Sequence, residues 1–342
     1  MTERFLVWGS GAIGASIGAS LVSDGVDVTF IDTAADHVEA MRDPARGLQV
    51  RGDDRAFGRA VTARLPAELN GSWSSVLLCV KAHHTAEACR ALAPHLAPDG
   101  YVVSLQNGLT EKTVAEIVGS KRTIGGFVNF GADVIGPGRI AFGNRGTVAL
   151  GELDGAMTQR LDALTRAIRL FEPDAFATGY IWSYLWGKLA YASLLFAQAA
   201  GTAGIVDCLE RPELLPLWRA LAGEVIAVAS SEGVSPQGFN GFDPAAFAPR
   251  AGAAAAAAGV NAIALFNRPS AKTHSGVWRD LAIHRRVTEI DAQFGPVIAA
   301  GARHGIACPT LRRLVALIHD IEAGRRPQDD ANLLALLEEA HA

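Results

Sequence analysis

The run Gly9-Ser10-Gly11-Ala12-Ile13-Gly14 follows an apolar stretch at 5–8, and eighteen residues after Gly14 a second apolar run, 28–31, ends at Asp32. These residue types at this spacing can bind a dinucleotide. Gly9 permits a tight turn out of a buried strand, Gly11 lets the backbone approach a pyrophosphate, and Gly14 lets the following helix pack against the sheet. That helix, expected over 12–23 and ended by Asp24-Gly25, would aim its positive N-terminal end at the phosphates. An acid at the end of the second strand accepts hydrogen bonds from ribose hydroxyls and repels a 2′-phosphate, so Asp32 favours NAD, with NADP as the alternative. Asp32 could instead cap a helix beginning near Ala34. Strand, glycine turn, helix, strand and acid in this order make the motif more specific than the glycines alone.

A second group lies far downstream. Lys188 sits in Trp182-Ser183-Tyr184-Leu185-Trp186-Gly187-Lys188-Leu189, among aromatic and aliphatic neighbours. A lysine desolvated on such a helix can serve as general acid or base. It could equally snorkel, its stem covering the helix and its ammonium reaching water. Glu289 lies in Val287-Thr288-Glu289-Ile290-Asp291. If Thr288 caps the helix, Glu289 and Asp291 are ordinary first-turn acids. Residues 272–280, which contain Ser275 and Gly276, form a polar loop between helices, of the kind that often carries function but also serves turns and caps. Asn107-Gly108 and Lys81 follow expected parallel strands, whose ends border the ligand crevice. His83 and His84 are adjacent and cannot both face one site on a regular element, so they receive no role.

The elements that position these residues follow from patterning. Strands are expected near 5–8, 28–31, 75–80, 101–105, 124–130 and 147–150, the last two bracketing a turn at Gly136-Pro137-Gly138. Helices alternate with them near 34–42, 85–93 and 111–118, and a hairpin-like segment falls at 48–62. Alternation of this kind gives a doubly wound, mainly parallel α/β sheet, the Rossmann arrangement. Beyond about Thr178 the strand signals stop. Helical runs take over at 180–200, 213–230, 251–266, 288–304 and 310–323. The alanine run 253–258 reads as tightly packed helix, because alanine is the best helix former. The expected division is a Rossmann domain over 1–178 and an all-helical substrate domain over 179–342, with the substrate cleft between them.

Composition narrows the classes. A chain of 342 residues, 49% hydrophobic and 19% charged, can build two cores and is not disordered. A net charge of −4 offers no basic footprint for nucleic acid. Four scattered cysteines, Cys79, Cys89, Cys208 and Cys308, show neither metal nor disulfide spacing, which fits a reducing cytoplasm. No secretory signal is evident at the N-terminus. The apolar stretch 181–200 is interrupted by Ser183, Lys188, Ser193 and Gln198, so it reads as a buried helix and no membrane partner is expected.

Taken together, the segments resemble the ketopantoate reductase (2-dehydropantoate 2-reductase) family from Gly9 to about Pro309. The matches are the glycine run, Cys79-Val80-Lys81-Ala82, Leu105-Gln106-Asn107-Gly108-Leu109, Gly136-Pro137-Gly138, Trp186-Gly187-Lys188-Leu189 and Thr288-Glu289-Ile290-Asp291, followed by Gly301, His304-Gly305-Ile306 and Pro309. The resemblance implies that Lys188 is the general acid, that Glu289 lies in the interdomain cleft and organises the bound ligands, and that Asn107 lies near nicotinamide and substrate. It implies that Lys81 lines the cofactor side, and that Ser275 or Gly276 meets the substrate carboxylate.

Departures from the family pattern are informative. The family usually carries asparagines four and eight residues after the lysine, where this chain has Ala192 and Phe196. Its NADP-dependent members usually lack an acid where Asp32 stands. The stretch between Asp280 and Glu289 is also one residue longer than usual. These departures imply an NAD-preferring enzyme acting on a 2-hydroxy acid or related hydroxy compound with a larger or more apolar side. The competing expectations are NADPH-dependent reduction of 2-dehydropantoate and a non-catalytic dinucleotide sensor. A homodimer is a further expectation, and no metal is expected.

Overall fold

The computed structural model describes residues 4–52, 55–270 and 272–338. The chain divides into two compact units, Met1–Ile181 and Trp182–Ala342. In the first, the described residues form β1 (Arg4–Trp8), α1 (Ala12–Ser23), β2 (Asp27–Ile31), α2 (Ala35–Arg42), β3 (Leu48–Gly52), β4 (Arg55–Arg59), β5 (Thr62–Arg64) and β6 (Trp73–Leu78). They continue as α3 (Thr85–Leu92), β7 (Leu96–Ser104), α4 (Thr110–Val118), β8 (Thr123–Val128), β9 (Gly131–Gly136), β10 (Arg139–Asn144), β11 (Val148–Glu152), α5 (Gln159–Ile168) and β12 (Phe176–Ala177).

Eight of these strands make one sheet in the order β12-β11-β8-β7-β6-β1-β2-β5, with every neighbouring pair parallel except β8 and β11. Taken in chain order, the six strands β5-β2-β1-β6-β7-β8 run 3-2-1-4-5-6, the doubly wound dinucleotide-binding order, which reverses direction between β1 and β6. Phe5, Leu6, Val7 and Leu77 are buried because both faces of a parallel sheet are covered. The remaining four strands form a second sheet, β4-β3-β10-β9. It packs over α1, which touches β3, β9 and β10 on one flank and β1 and β2 on the other. The hairpin-like segment thus contributes to both sheets: β3 and β4 pair antiparallel in the small one, and β5 joins the large one beside β2. The turn at Gly136-Pro137-Gly138 closes the β9–β10 hairpin, two strands that the sequence patterning did not reveal.

The second unit is helical, as expected. Its helices are α6 (Ile181–Ala199), α7 (Ile205–Leu209), α8 (Leu215–Ser231), α9 (Ala253–Asn267), α10 (Gly276–Ala282), α11 (Ile290–Arg303), α12 (Pro309–Glu322) and α13 (Ala331–Glu338). Among the described residues its one extended pairing is the bridge between Phe239 and Phe242. Ile181, the first residue of α6, still belongs to the first unit. A Cβ on Gly125 would lie 2.9 Å from Ile181 Cγ1, and one on Gly151 would lie 2.8 Å from Ile181 Cβ. Gly125 and Gly151 are register partners in β8 and β11, so Ile181 seats on a glycine patch of the first unit's sheet.

Two local expectations need correction. The alanine run is helix, but Ala253, Ala254, Ala255, Ala257 and Ala258 are exposed and only Ala256 is buried. High helix propensity needs no packing partner. Part of the polar stretch 272–280 is the short helix α10, started by Ser275, whose Oγ accepts the Trp278 N–H at 3.1 Å.

The cysteines form no disulfide, and burial pushes the Cys89, Cys208 and Cys308 thiols up to about 11, 12 and 11. Among the described residues no cluster of His, Cys, Asp or Glu could hold a metal. One helical stretch of those residues, Pro212–Ser231, is long and apolar enough to cross a membrane, and over half of it is buried inside the protein.

Candidate active site

In the first unit the glycine run sits at the reversal of strand order. Gly9 has φ +96°, and a Cβ there would lie 2.7 Å from the Val80 nitrogen and 2.8 Å from the Cys79 carbonyl carbon. Glycine is therefore required both by the left-handed backbone and by the close passage of the chain leaving β6. A Cβ on Gly14 would fall 2.1 Å from the Gly9 oxygen and 2.8 Å from Val7 Cγ1, which presses α1 onto the turn and β1. Gly11 differs: nothing lies within 4 Å of where its Cβ would be. It stands at the N-cap of α1 with no side chain capping the helix. An uncapped helix start, a loop with open space at its central glycine, and a strand-order reversal together fit the diphosphate of a dinucleotide.

Asp32 is brought directly to this loop. Its Oδ2 accepts the Ser10 backbone N–H at 2.9 Å and the Ser10 hydroxyl at 3.2 Å, and its Oδ1 accepts the Ala34 N–H at 3.0 Å. The capping alternative is thereby answered: α2 starts after Ala34, which is its N-cap, and Asp32 serves the turn before it. The carboxylate is fixed in orientation at the end of β2 and remains half-buried.

Lys81 and Asn107 follow β6 and β7. Gln106 joins their two loops, its Nε2 donating to the Val80 carbonyl at 2.9 Å and to Thr85 Oγ1 at 2.8 Å. Gly108, at φ +89°, completes the turn after Asn107. Gln106 lay inside a motif read for its asparagine. Its burial and its bridging bonds depend on pairing between strands, which spacing does not reveal.

In the second unit, α6 turns an accessible stripe outward through Tyr184, Lys188, Ala192 and Leu195, all partly buried, while Leu185, Trp186, Leu189 and Phe196 are buried. Spacings of four, four and three are one face of a helix. Gly187 makes the presentation possible. A Cβ there would lie 2.2 Å from the Gln237 carbonyl oxygen, so the loop bearing Gln237 packs flat on α6, and the Gln237 N–H donates to the Ser183 carbonyl at 2.8 Å. Burial pushes the Tyr184 phenol, one turn before Lys188, above its ordinary value.

Phe196 was expected to meet substrate, but it points inward. It is 1% exposed and stacks edge-to-face on Phe294 of α11 at 5.3 Å. Eight residues is 80° past two full turns, so the eighth position has rotated off the lysine's face and the seventh, Leu195, lies closer to it. The Phe196–Phe294 contact also joins the helix of Lys188 to the helix that begins after Glu289.

Glu289 does not fit the role of a solvated first-turn acid. It is buried at the N-cap of α11, whereas the Asp291 side chain is 70% exposed and paired with His319. Thr288 Oγ1 accepts the Ile290 N–H at 3.2 Å and donates to Glu322 at 2.7 Å. Ser275 is buried, and its segment is tied to the loop after α6, with Trp278 Nε1 donating to the Gly201 carbonyl and His274 Nε2 on the Thr202 carbonyl. Gly276 faces open space.

A glycine loop at the strand-order reversal, an acid ending the second strand and a helical unit with an accessible lysine define the class as an NAD(P)-dependent dehydrogenase. Comparison with known families narrows it. Residues 5–155 match the model described as ketopantoate reductase PanE/ApbA, and residues 180–322 match its C-terminal counterpart. The chain belongs to the ketopantoate reductase family, and it is an NAD(P)-dependent oxidoreductase acting on CH–OH groups.

A 2-dehydropantoate 2-reductase of Archaeoglobus fulgidus is 26% identical over 324 residues, 94% of this chain and 99% of that protein. Among solved structures, a ternary complex of D-mandelate dehydrogenase with NADH and anilino(oxo)acetate superposes with a TM-score of 0.80 at 20% identity, covering 94% of this chain and 99% of that one. A PanE/ApbA family ketopantoate reductase from Ralstonia eutropha superposes with a TM-score of 0.79 at 24% identity, with the same coverage.

Proposed function

We propose that this enzyme prefers NAD and interconverts a 2-hydroxy acid, or a related hydroxy compound, with its keto form, Lys188 acting as general acid and base. The observation that carries the reading is the stripe on α6, where the ammonium of Lys188 is followed on one face by Ala192 and Leu195 and not by amides. A nicotinamide cofactor held by the loop at Gly9–Gly14 and by Asp32 would supply or accept the hydride. In reduction, Lys188 Nζ donates a hydrogen bond to the substrate carbonyl oxygen and passes its proton as charge builds there. In oxidation, the neutral amine takes the hydroxyl proton. Ser275 Oγ accepts the Trp278 N–H, which leaves its own proton to donate to a substrate carboxylate, and Gly276 leaves room beside it. Glu289, Lys81 and Asn107 hold and orient ligand groups. The apolar stripe favours a branched or aromatic substituent, since an apolar wall rewards buried methylenes and makes no hydrogen bond to a polar one.

The cofactor preference rests on Asp32, whose two oxygens are already fixed by three donors. A 2′-phosphate beside this carboxylate is repelled. Asp32→Ala is expected to lower kcat/KM for NADH and raise it for NADPH, moving their ratio by on the order of tenfold. Steady-state kinetics with both cofactors check this, and a parent enzyme that prefers NADPH would refute the assignment. The substrate is tested by turnover of a panel of small, branched and aromatic 2-keto acids.

A second reading is favoured by the name of the curated relatives, 2-dehydropantoate 2-reductase. Efficient NADPH-dependent reduction of 2-dehydropantoate, with no gain on larger keto acids, would establish it instead. Our reading also includes cytoplasmic residence, in keeping with four unpaired thiols, and a homodimer.

A further inference from the structure

Two features are left without a part in the reaction: the turn Gly136-Pro137-Gly138 and a buried histidine on α2. They are joined. His37 is 6% exposed, its Nε2 lies 2.9 Å from the Ser10 carbonyl oxygen, and its Nδ1 lies 3.0 Å from the Gly138 nitrogen. A backbone N–H can only donate and a carbonyl can only accept. The ring is therefore the neutral tautomer with its proton on Nε2, donating to Ser10 and accepting from Gly138. Gly138 reaches the ring because it has φ +68° and lies flat on α2, where a Cβ would fall 3.0 Å from both Ala40 Cβ and the Gly47 oxygen. The Gly138 carbonyl in turn accepts the Gln49 N–H of β3 at 2.7 Å. The small sheet is thus linked through one imidazole to the glycine loop.

The consequence lies in the Ser10–Gly11 peptide. The Ser10 N–H and hydroxyl are held by Asp32, and the Ser10 carbonyl is held by His37. A trans peptide is planar with its C=O and N–H antiparallel, so fixing the carbonyl also fixes the direction of the Gly11 N–H, away from the ring. Gly11 is the position with open space beside it.

We propose that His37, braced by Gly138, is a positioning residue that orients the Ser10–Gly11 peptide so that the Gly11 N–H is set to receive the cofactor diphosphate. The proposal rests on dinucleotide binding at this loop. A loop held at both ends loses less freedom on binding, so the brace acts on cofactor affinity and leaves the chemical step alone.

Two polar variants separate the two ends of the brace. His37→Asn is long enough to accept from Gly138 but too short to donate to Ser10, whereas His37→Gln extends a donor to the place of Nε2. NADH and NADPH affinities are read by fluorescence titration, alongside kcat at saturating cofactor, KM for the keto acid and the thermal midpoint. His37→Asn is expected to weaken binding of the preferred cofactor by about tenfold with kcat and substrate KM within about twofold, and His37→Gln to stay within about threefold of the parent, a tenfold change being about 1.4 kcal/mol. Equal cofactor affinity in parent and His37→Asn, with only the thermal midpoint lowered, would reduce His37 to a structural contact and overturn the proposal. Equal losses in both variants would overturn it too. Failure of the parent to bind either cofactor would instead overturn the dinucleotide reading from which this one follows.

Discussion

Lys188→Ala is expected to lower kcat by about 10²–10⁴, the usual contribution of a positioned general acid or base. The side chain is partly buried on an accessible stripe of α6 and is not part of the packed core, so its removal leaves no large cavity. The thermal midpoint should therefore hold. Affinity for NADH should hold as well, because the glycine loop belongs to the other compact unit. Single-turnover measurement of the reduction step, with NADH binding measured separately, distinguishes loss of proton transfer from loss of binding. Turnover within tenfold of the parent would remove Lys188 from the mechanism and leave Tyr184, one turn away, as the next proton donor to examine.

The second large effect is expected at the glycines, where neighbouring positions should fail in opposite ways. Gly14→Ala places a methyl 2.1 Å from the Gly9 oxygen, a backbone atom that cannot rotate away. It should destabilise the first unit by about 3 kcal/mol, the upper end for an overpacked core. Gly11→Ala meets no protein atom within 4 Å, at a backbone conformation any residue adopts (φ −67°). Its stability should match the parent's, while NADH affinity falls by about tenfold or more, because the methyl occupies space a diphosphate needs. Thermal unfolding and NADH titration of both variants check this. A Gly11→Ala enzyme that binds NADH normally would place the diphosphate elsewhere.

Much of the first unit was legible because its signals are local. Apolar runs marked β1, β2, β6 and β8, and the glycine run with Asp24-Gly25 gave α1 its observed limits of Ala12–Ser23. The small sheet was not legible. Strands β9 and β10 carry glycines and charges; β9 pairs with β10, and β10 is held by pairing with β3, about 90 residues earlier in the chain. The brace at His37 spans 101 residues to Gly138, and no spacing rule reaches that far.

In the second unit, the long helices followed from alanine and leucine content, but α10 has only seven residues and begins at a glycine, so it read as loop. The family resemblance puts a substrate contact at Phe196, eight residues after Lys188. Counting does not settle which face is turned outward, and burial against Phe294 does. Glu289 shows the converse. Its sequence setting is that of any first-turn acid, and only its burial beside a solvated Asp291 sets it apart.

The buried cysteines have a use that has nothing to do with catalysis. A thiol is alkylated only as thiolate and only when exposed, so in the folded chain Cys89, Cys208 and Cys308 are doubly protected. Cys89 lies in the first unit and the other two in the second. Each unit thus carries its own natural tag for local opening. Labelling followed by peptide mass mapping would time the loosening of the two halves separately, in the unmodified protein and with cofactor present or absent.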